Sequence, residues 1–435
     1  MRLLLSLFLT LVCAAAAFAQ DRPQAFVGAQ IIPVAGAPIP NGVLVVHRGK
    51  IVAVGAAGST QIPSDAQRIE ASGKIIMPGI VDTHSHIGGG SGADGSAPLQ
   101  PEVRLLDSFD ARDTSLKRAR AGGITTVNVM PGSGHLLSGQ TLYLKLRNGE
   151  MIDDLLIRDA NGVIAGGIKM ANGTNSIRQG GGAFPGTRAK SAAMAREMFV
   201  KAQAYREKIQ RAGNDKEKLP PRDLAMEALV EVLEGKRIVQ FHTHRQDDIL
   251  TVLRLSKEFG FRVVLQHVSE GWKVAEEIAK AGAPCSIINI DAPGGKVETI
   301  NLTLSNAAIL DKAGALVGFH TDDYITDSRL LLRSGALAVR GGLSREKALY
   351  GLTMAGARML DLQTRVGSLE AGKDADFIIL SGDPLSVYTK VLETWVEGVK
   401  VFDRSKPEDR LYAVGGFGAS RGAHNHIHES QEEWQ

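Results

Sequence analysis

The stretch Met77–Ile87, MPGIVDTHSHI, places two histidines at the end of an apolar run. His84 and His86 are separated by one residue, and in a strand the side chains at i and i+2 point to the same face. Two neutral imidazoles directed at one point are suitable ligands for zinc and related ions. The pair alone indicates either a metal site or two histidines whose hydrogen bonds are satisfied within a core. Residues elsewhere in the chain distinguish these two interpretations.

Other short apolar runs follow, and most of them precede a helical stretch such as GWKVAEEIAKAG. The runs are rich in β-branched residues and read GIVDTH, GITTVNVM, GVIAGGIKM, RIVQFHTH, RVVLQH, APCSIINI and ALVGFHTDD. Strands that alternate with helices favour a parallel sheet covered on both faces. We therefore predict an α/β fold, either an eight-stranded barrel or a doubly wound open sheet.

The positions of the polar residues favour the barrel. At or just after the ends of the apolar runs lie His84, His86, Lys169, His242, His244, His267, His320 and Asp322. In a (β/α)8 TIM barrel the carboxyl ends of all strands converge on one mouth, where groups from different strands meet. An open sheet would spread some of these residues too far apart. We assign the barrel to residues 77–365.

The two flanks of that region have a different texture. Residues 25–76 and 366–404 contain short strands with turns such as Pro40-Asn41-Gly42, where glycine permits the positive φ of a tight turn. We predict that the two segments form one small composite β-sandwich built from both chain ends.

The first residues carry the features of an export signal. MRLLLSLFLTLVCAAAAFAQ combines Arg2, an apolar stretch and Ala17-Phe18-Ala19, which fits the small-x-small rule for cleavage. We expect residues 1–19 to be a signal peptide and the protein to be periplasmic or extracellular. The apolar stretch is too short for an ordinary membrane span, and no later segment approaches that length.

Charge and cysteine content limit the partners and the means of stabilisation. The formal net charge of +3 at pH 7 does not indicate nucleic-acid binding, which requires a concentrated basic face. Only Cys285 follows the predicted signal peptide, so core burial has to stabilise the exported chain. Residues 415–435 have the composition of a flexible tail, and metal scavenging is the alternative role for its alternating histidines, His424, His426 and His428.

The chain resembles the amidohydrolase superfamily, whose members are metal-dependent hydrolases with a barrel and an appended β-sandwich. GKIIMPGIVDTHSHI resembles the signature of that superfamily, and VGSLEAGKDADFIILSGDPL with VEGVKVF resembles its return to the β-sandwich. GGIKMANGTN, MEALVEVLEGKRIVQFHTHRQDDI, LQHVSEG and HTDD are similar to the exported, imidazolonepropionase-like branch, whose relatives include Xaa-Pro dipeptidase. The resemblance covers residues 25–404. The order of the motifs, their spacing and the segments that flank them all agree with the superfamily.

The resemblance implies a set of metal ligands on several strands of the barrel. Matching positions are occupied by His84 and His86 on the first strand, His242 on the fifth, His267 on the sixth and Asp322 on the eighth. In the family that aspartate contacts the metal and moves the proton, so Asp322 is the predicted catalytic residue.

Lys169 lies where binuclear members carry a carboxylated lysine that bridges two metals. Carboxylation requires a neutral amine, which burial beside cations supplies. An ordinary anion-binding lysine is the alternative, and the number of metal ions depends on which interpretation holds.

Several neighbours compete with these assignments or extend them. His244 is the i+2 neighbour of His242, so one of the two binds metal while the other contacts substrate, and Asp323 is the alternative to Asp322. The candidates for substrate binding are His244, His135, Arg245 and His320.

We predict a metal-dependent hydrolase that cleaves a carbon–nitrogen bond with one or two Zn²⁺ ions, or another divalent transition metal, and activated water. The expected small-molecule substrate is a dipeptide, an N-acyl amino acid or a cyclic amide, and a homo-oligomer is common in such a family. One alternative is deamination of a cyclic nucleobase-like compound, against which export argues. The other is a non-catalytic scaffold of the same fold, which would be favoured by degraded metal positions.

Overall fold

The computed structural model describes residues 22–89, 94–178, 182–288 and 296–416. The predicted signal peptide at residues 1–19 lies outside these ranges, and so do residues 417–435 with the three histidines of the tail. Among the described residues, no helix is both long and apolar enough to cross a membrane.

Strands and helices alternate through the middle of the chain, whereas strands dominate its ends. Over the described residues the strands are β1 (Gln24–Ile31), β2 (Ile39–His47), β3 (Lys50–Ala56), β4 (Gln67–Glu70), β5 (Ile75–Pro78), β6 (Ile80–Ser85), β7 (Ile124–Val129), β8 (Leu137–Gln140), β9 (Leu142–Lys145), β10 (Ile168–Ala171), β11 (Val239–Thr243), β12 (Val263–His267), β13 (Cys285–Ile287), β14 (Val317–Phe319), β15 (Phe377–Leu380), β16 (Val391–Val396) and β17 (Val399–Asp403). The α-helices are α1 (Ser115–Ala121), α2 (Ile152–Leu155), α3 (Arg188–Ala212), α4 (Leu224–Leu233), α5 (Gln246–Phe259), α6 (Ala275–Ala281), α7 (Asn306–Ala313), α8 (Leu331–Arg340), α9 (Arg345–Leu352), α10 (Met354–Met359) and α11 (Pro407–Val414).

The two ends of the chain meet in one eight-stranded sheet. Its order is β17-β16-β15-β5-β1-β2-β3, and β4 pairs with β1. The junction is the antiparallel pair β5 and β15, where Ile76 lies opposite Ile379. Phe26, Phe377 and Trp395 pack together in the core beside this junction, with ring centroids 4.9 to 5.4 Å apart. The sheet thus draws on both predicted flanking segments, while their arrangement as a sandwich stays a prediction.

The central strands form two further sheets. One has the order β14-β13-β12-β11-β10-β8, and the other has the order β6-β7-β9. Neighbours from β10 to β14 are parallel, as are β6 and β7. The α/β class is confirmed. Over the described residues, the hydrogen bonds between strands do not close these sheets into one ring. The ends of β6 and β14 nevertheless meet, because the Asp322 amide donates a 2.8 Å hydrogen bond to the His84 carbonyl.

Helices cover the central sheets, and the strands are accordingly buried along their whole length. Every residue of β6, β7, β10, β11 and β12 is buried, as expected for parallel strands covered on both faces. Local signals set the helix ends: the Asp223 carboxylate accepts a hydrogen bond from the Met226 amide at the start of α4, and Gly260, with φ of 73°, ends α5. The parallel arrangement directs the carboxyl ends of the strands toward one side.

Candidate metal centre

Five strands bring the predicted ligands to that side of the molecule. His84 lies on β6, Lys169 on β10, His242 on β11 and His267 at the end of β12, while Asp322 follows β14. The histidines and Asp322, together with the neighbours His86, His244 and His320, form three overlapping sets of potential metal ligands, in each of which the ligand atoms lie within 4.8 Å of one another. The structure therefore shows the predicted convergence of the strand ends on one place.

The first set consists of His84, His86 and Asp322. The Asp322 Oδ1 atom lies 2.9 Å from His86 Nε2 and 3.2 Å from His84 Nε2. His86 Nδ1 donates a hydrogen bond to the Met130 carbonyl over 2.8 Å, which leaves the lone pair of this imidazole on Nε2. A carboxylate oxygen and an imidazole lone pair that face each other repel unless a cation or a proton lies between them. This set therefore fits a metal ion.

Asp322 is held as an anion at this position. Burial acts to raise the pKa of its carboxyl group, but attraction to His84 and His86 in their protonated forms, a place that a metal cation would take, outweighs burial and holds that pKa well below its usual range. Its backbone has φ of 49°, a left-handed conformation that a non-glycine residue adopts at a cost. His267 and Val268 have positive φ as well. Backbone strain of this kind clusters at functional sites, and three of the seven described non-glycine residues with positive φ lie at the strand ends that carry the predicted ligands.

Lys169 lies directly against the first set. Its Nζ atom is 2.9 Å from His84 Nε2 and 3.0 Å from Met130 Sδ, and the side chain is completely buried. Burial lowers the pKa of Lys169 to about 7, against the opposing attraction of Asp322. A large fraction of this amine is therefore neutral near pH 7, which is the form that carboxylation requires.

The second set consists of His242, His244 and His267, and its ring centroids lie 4.3 to 4.9 Å apart. Both ring nitrogens of His242 are buried and have no hydrogen-bond partner among the described residues, and the same holds for Nε2 of His244 and of His267. Buried polar atoms without a partner are rare because each costs about 1 to 3 kcal/mol. Three imidazoles in one cluster, each with a buried nitrogen that has no partner among the described residues, fit a cation that would take one nitrogen from each ring.

The protonation state of this set agrees with metal binding. Burial lowers the pKa of His242 and of His267 well below the ordinary value, and burial together with the charge of Lys296 lowers the pKa of His244 to about 3. All three imidazoles are consequently neutral at pH 7, and neutral imidazole is the form that binds zinc.

His320 joins the cluster, and two other candidates for substrate binding lie elsewhere. His320 Nε2 is 3.2 Å from His267 Nδ1. The His135 ring packs against Phe184 with centroids 5.3 Å apart, and neither of its ring nitrogens has a partner among the described residues. Arg245 pairs with Asp247 over 3.0 Å at the exposed start of α5. The structure thus brings His244 and His320 to the ligands but directs Arg245 to the surface, and their roles toward substrate stay predictions.

The choice between Asp322 and Asp323 has a geometric answer. Asp323 is turned toward Arg118, 3.2 Å away, and accepts hydrogen bonds from the amide and the hydroxyl of Ser328. Only Asp322 contacts the histidines His84 and His86.

Three buried side chains support the ligands, namely Asp82, Thr321 and Ser286. Asp82 accepts hydrogen bonds from the amide and the hydroxyl of Thr321, over 3.1 and 2.5 Å, and from the His84 amide over 3.2 Å. Ser286 lies 2.8 Å from His320 Nδ1. Asp82 had a sequence signal, because it lies two residues before His84, whereas a serine or threonine within a strand carries none.

Comparison with known proteins gives the chain a family. The Amidohydrolase family matches residues 75–401, well over half of the chain. The crystal structure of an amidohydrolase from Thermotoga maritima is 32% identical and superposes with a TM-score of 0.80, covering 87% of this chain and 100% of that one.

Two curated relatives extend this comparison. The amidohydrolase tasK of Hapsidospora irregularis is 28% identical over 85% of this chain, although the match spans only 41% of that protein's length. The imidazolonepropionase of Thermoplasma volcanium is 24% identical over 85% of this chain and 92% of its own. With the strand-end cluster described above, these matches establish that the chain belongs to the amidohydrolase family, enzymes that hydrolyse carbon–nitrogen bonds.

Proposed function

We propose that this protein is an exported hydrolase that uses two divalent metal ions, most simply Zn²⁺, to cleave the carbon–nitrogen bond of a dipeptide, an N-acyl amino acid or a cyclic amide. The observation that carries the proposal is the pair of ligand sets that share no residue. One contains His84, His86 and Asp322, and the other is the group of three histidines around His242.

The two sets would hold one ion each. His84, His86 and Asp322 would bind the first, and His267 with His242 or His244 would bind the second. Lys169 lies against His84, so its carboxylated form would bridge the two. When bound, a divalent ion lowers the pKa of water toward 7 and polarises the carbonyl of the substrate.

Asp322 is positioned to move the proton in this reaction. Its Oδ1 atom contacts the first set, and its Oδ2 atom faces His267 Nδ1 of the second at 4.0 Å. An aspartate between the two sets, held as an anion, can accept a proton from the attacking water. The same carboxyl group then donates that proton to the leaving nitrogen, which completes acid and base catalysis with one residue.

The rest of the site orients these groups. The Met130 carbonyl fixes the tautomer of His86, and the Asp322 amide is hydrogen-bonded to the His84 carbonyl. A site pre-organised in this way needs little rearrangement when charge develops on the substrate. This arrangement of strand ends also supports the barrel predicted from the sequence, and the sheet shared by both chain ends supports the composite β-sandwich.

A screen of the purified protein tests the function. Dipeptides, N-acyl amino acids, lactams and aminated nucleobases would be incubated with the zinc-loaded enzyme, with ammonia release measured separately from amide cleavage. We expect turnover of at least one of the first three classes. Activity only on aminated nucleobases would instead establish a deaminase. Absence of bound metal after reconstitution together with no turnover in any class would leave the non-catalytic scaffold.

A further inference from the structure

We infer that Ser286 is a positioning residue that orients a metal-binding histidine, His267, through His320. This inference rests on the proposed function, because it assigns a task to residues behind the second set of ligands. It concerns the strand β13, which contributes none of the predicted ligands.

Four side chains form a continuous chain of hydrogen bonds behind the ligands. Thr83 Oγ1 lies 2.5 Å from Ser286 Oγ, which lies 2.8 Å from His320 Nδ1. On the other side of its ring, His320 Nε2 lies 3.2 Å from His267 Nδ1. The chain therefore runs from β6, through β13 and the end of β14, to the end of β12.

Only one assignment of hydrogens lets His267 present its free nitrogen to a metal ion. Among the described residues His267 Nε2 has no hydrogen-bond partner, so its lone pair is available when Nδ1 carries the hydrogen. That hydrogen is then donated to His320 Nε2, and His320 Nδ1 in turn donates to the Ser286 hydroxyl. Ser286 donates onward to Thr83. Each bond has one donor and one acceptor, so once His267 Nε2 binds a metal ion, the Ser286 hydroxyl is the acceptor that this pair of tautomers requires.

The same geometry separates His320 from the three histidines of the second set. Both of its ring nitrogens are engaged, Nδ1 by Ser286 and Nε2 by His267. By contrast, both ring nitrogens of His242 and the Nε2 atoms of His244 and of His267 have no hydrogen-bond partner among the described residues. His320 therefore serves as the group behind a ligand. Such outer partners orient a ligating histidine and change metal affinity by about 10- to 100-fold when removed.

Burial makes the chain sensitive to a single deletion. Thr83, Ser286 and His320 have no exposed surface, and His267 is 1% exposed. Bulk water therefore cannot easily replace a missing hydroxyl. In Ser286→Ala, the Nδ1 hydrogen of His320 would lose its acceptor, and either ring could adopt the other tautomer. His267 would then spend part of its time with a hydrogen on the nitrogen that binds metal.

Zinc affinity measured by competition with a chromophoric chelator tests the inference without any substrate. We expect Ser286→Ala to lower the affinity for one of the two zinc ions by about 10- to 100-fold. The affinity for the other ion should stay within about twofold of the wild-type value. Ser286→Thr keeps the hydroxyl on a β-branched residue suited to a strand, and we expect it to retain wild-type affinity. Ser286→Cys, which keeps the side-chain size but offers a weaker acceptor, should fall between them and serves if the alanine variant does not fold.

A matched control separates the hydroxyl chain from burial in general. Thr126 on β7 is also completely buried, and its Oγ1 atom has no partner among the described residues. Thr126→Val should bind both ions like the wild type. The inference is overturned if Ser286→Ala binds both ions normally, if Ser286→Thr is as weak as Ser286→Ala, or if Thr126→Val shows the same loss. A wild-type protein that binds no zinc would reject the proposed function itself, which is a different result from equal affinities.

Discussion

Asp322 combines a constrained backbone, contact with two histidines and a carboxyl group kept ionised by them. Asp322→Asn keeps the shape but removes the capacity to accept a proton. We expect kcat/KM to fall by about 10²- to 10⁴-fold, with the fold and the zinc content largely retained. Steady-state kinetics with metal analysis of the same sample would check this.

The control for that substitution is available in the same loop. Asp327 pairs with Arg329 and does not belong to the ligand sets, so Asp327→Asn should keep most of the activity. An Asp322→Asn enzyme as active as the wild type would reject the role of Asp322.

At the residue scale, the sequence indicates candidate ligands more readily than the residues that support them. His84 and His86 stand out because a strand directs i and i+2 side chains alike, and the structure places them together with Asp322. Ser286 could not be singled out, because a serine inside APCSIINI has the same pattern whether it faces a histidine or a helix. Arg245 stays a predicted substrate-binding residue, and a short-range pair with Asp247 holds it at the surface.

At the scale of elements, the loop after β14 is fixed to β6 by a buried carboxylate. Asp82 accepts hydrogen bonds from both the amide and the hydroxyl of Thr321, the residue before Asp322. Thr321→Val removes one donor and leaves the acceptor buried, so we expect a loss of about 1 to 3 kcal/mol in the free energy of unfolding. Urea denaturation would measure it.

A second threonine provides the comparison for that experiment. Thr243 ends β11 and is also buried, but its Oγ1 atom has no hydrogen-bond partner among the described residues. Thr243→Val should therefore change stability far less. Equal losses in the two variants would contradict the fixing role of Asp82.

The alternation of apolar runs and helices predicted the parallel strands, because connections between parallel strands need a helix to cross over. It did not predict how the strands divide into sheets. That division depends on register, for example the irregular pairing of β6 with β7 between Asp82 and Ser85, and on strands such as β8 that run antiparallel to their neighbour. The spacing of apolar residues along the chain does not specify the register or the direction of neighbouring strands.

At the scale of the whole molecule, a buried ion cluster connects the central strands to the sheet of the chain ends. Lys145 on β9 lies 2.9 Å from Asp374 and 2.5 Å from Asp376, just before β15, and all three side chains are almost fully buried. The sequence predicted that both flanks come together, because their texture matches. It could not predict this cluster, because its charges lie more than 200 positions apart and resemble ordinary surface residues.

Removing the cation of this cluster should be costly. Lys145→Met leaves two buried carboxylates without their shared partner, and we expect a loss of about 3 to 5 kcal/mol in the free energy of unfolding. Lys50 pairs with the same Asp374 over 2.6 Å but is about half exposed, so Lys50→Met should cost at most about 1 kcal/mol. Urea denaturation of both variants measures the difference, and similar losses would show that burial of the cluster contributes little.

The central claim is that two ligand sets make this chain a metal-dependent hydrolase. Its most direct test is a zinc titration of chelator-treated protein, with hydrolysis of an accepted amide substrate followed at each addition. We expect no activity without metal, and a rise that ends at two equivalents of zinc per chain. Full activity in the metal-free protein would contradict the account, and a plateau at one equivalent would contradict the second site and a bridging Lys169.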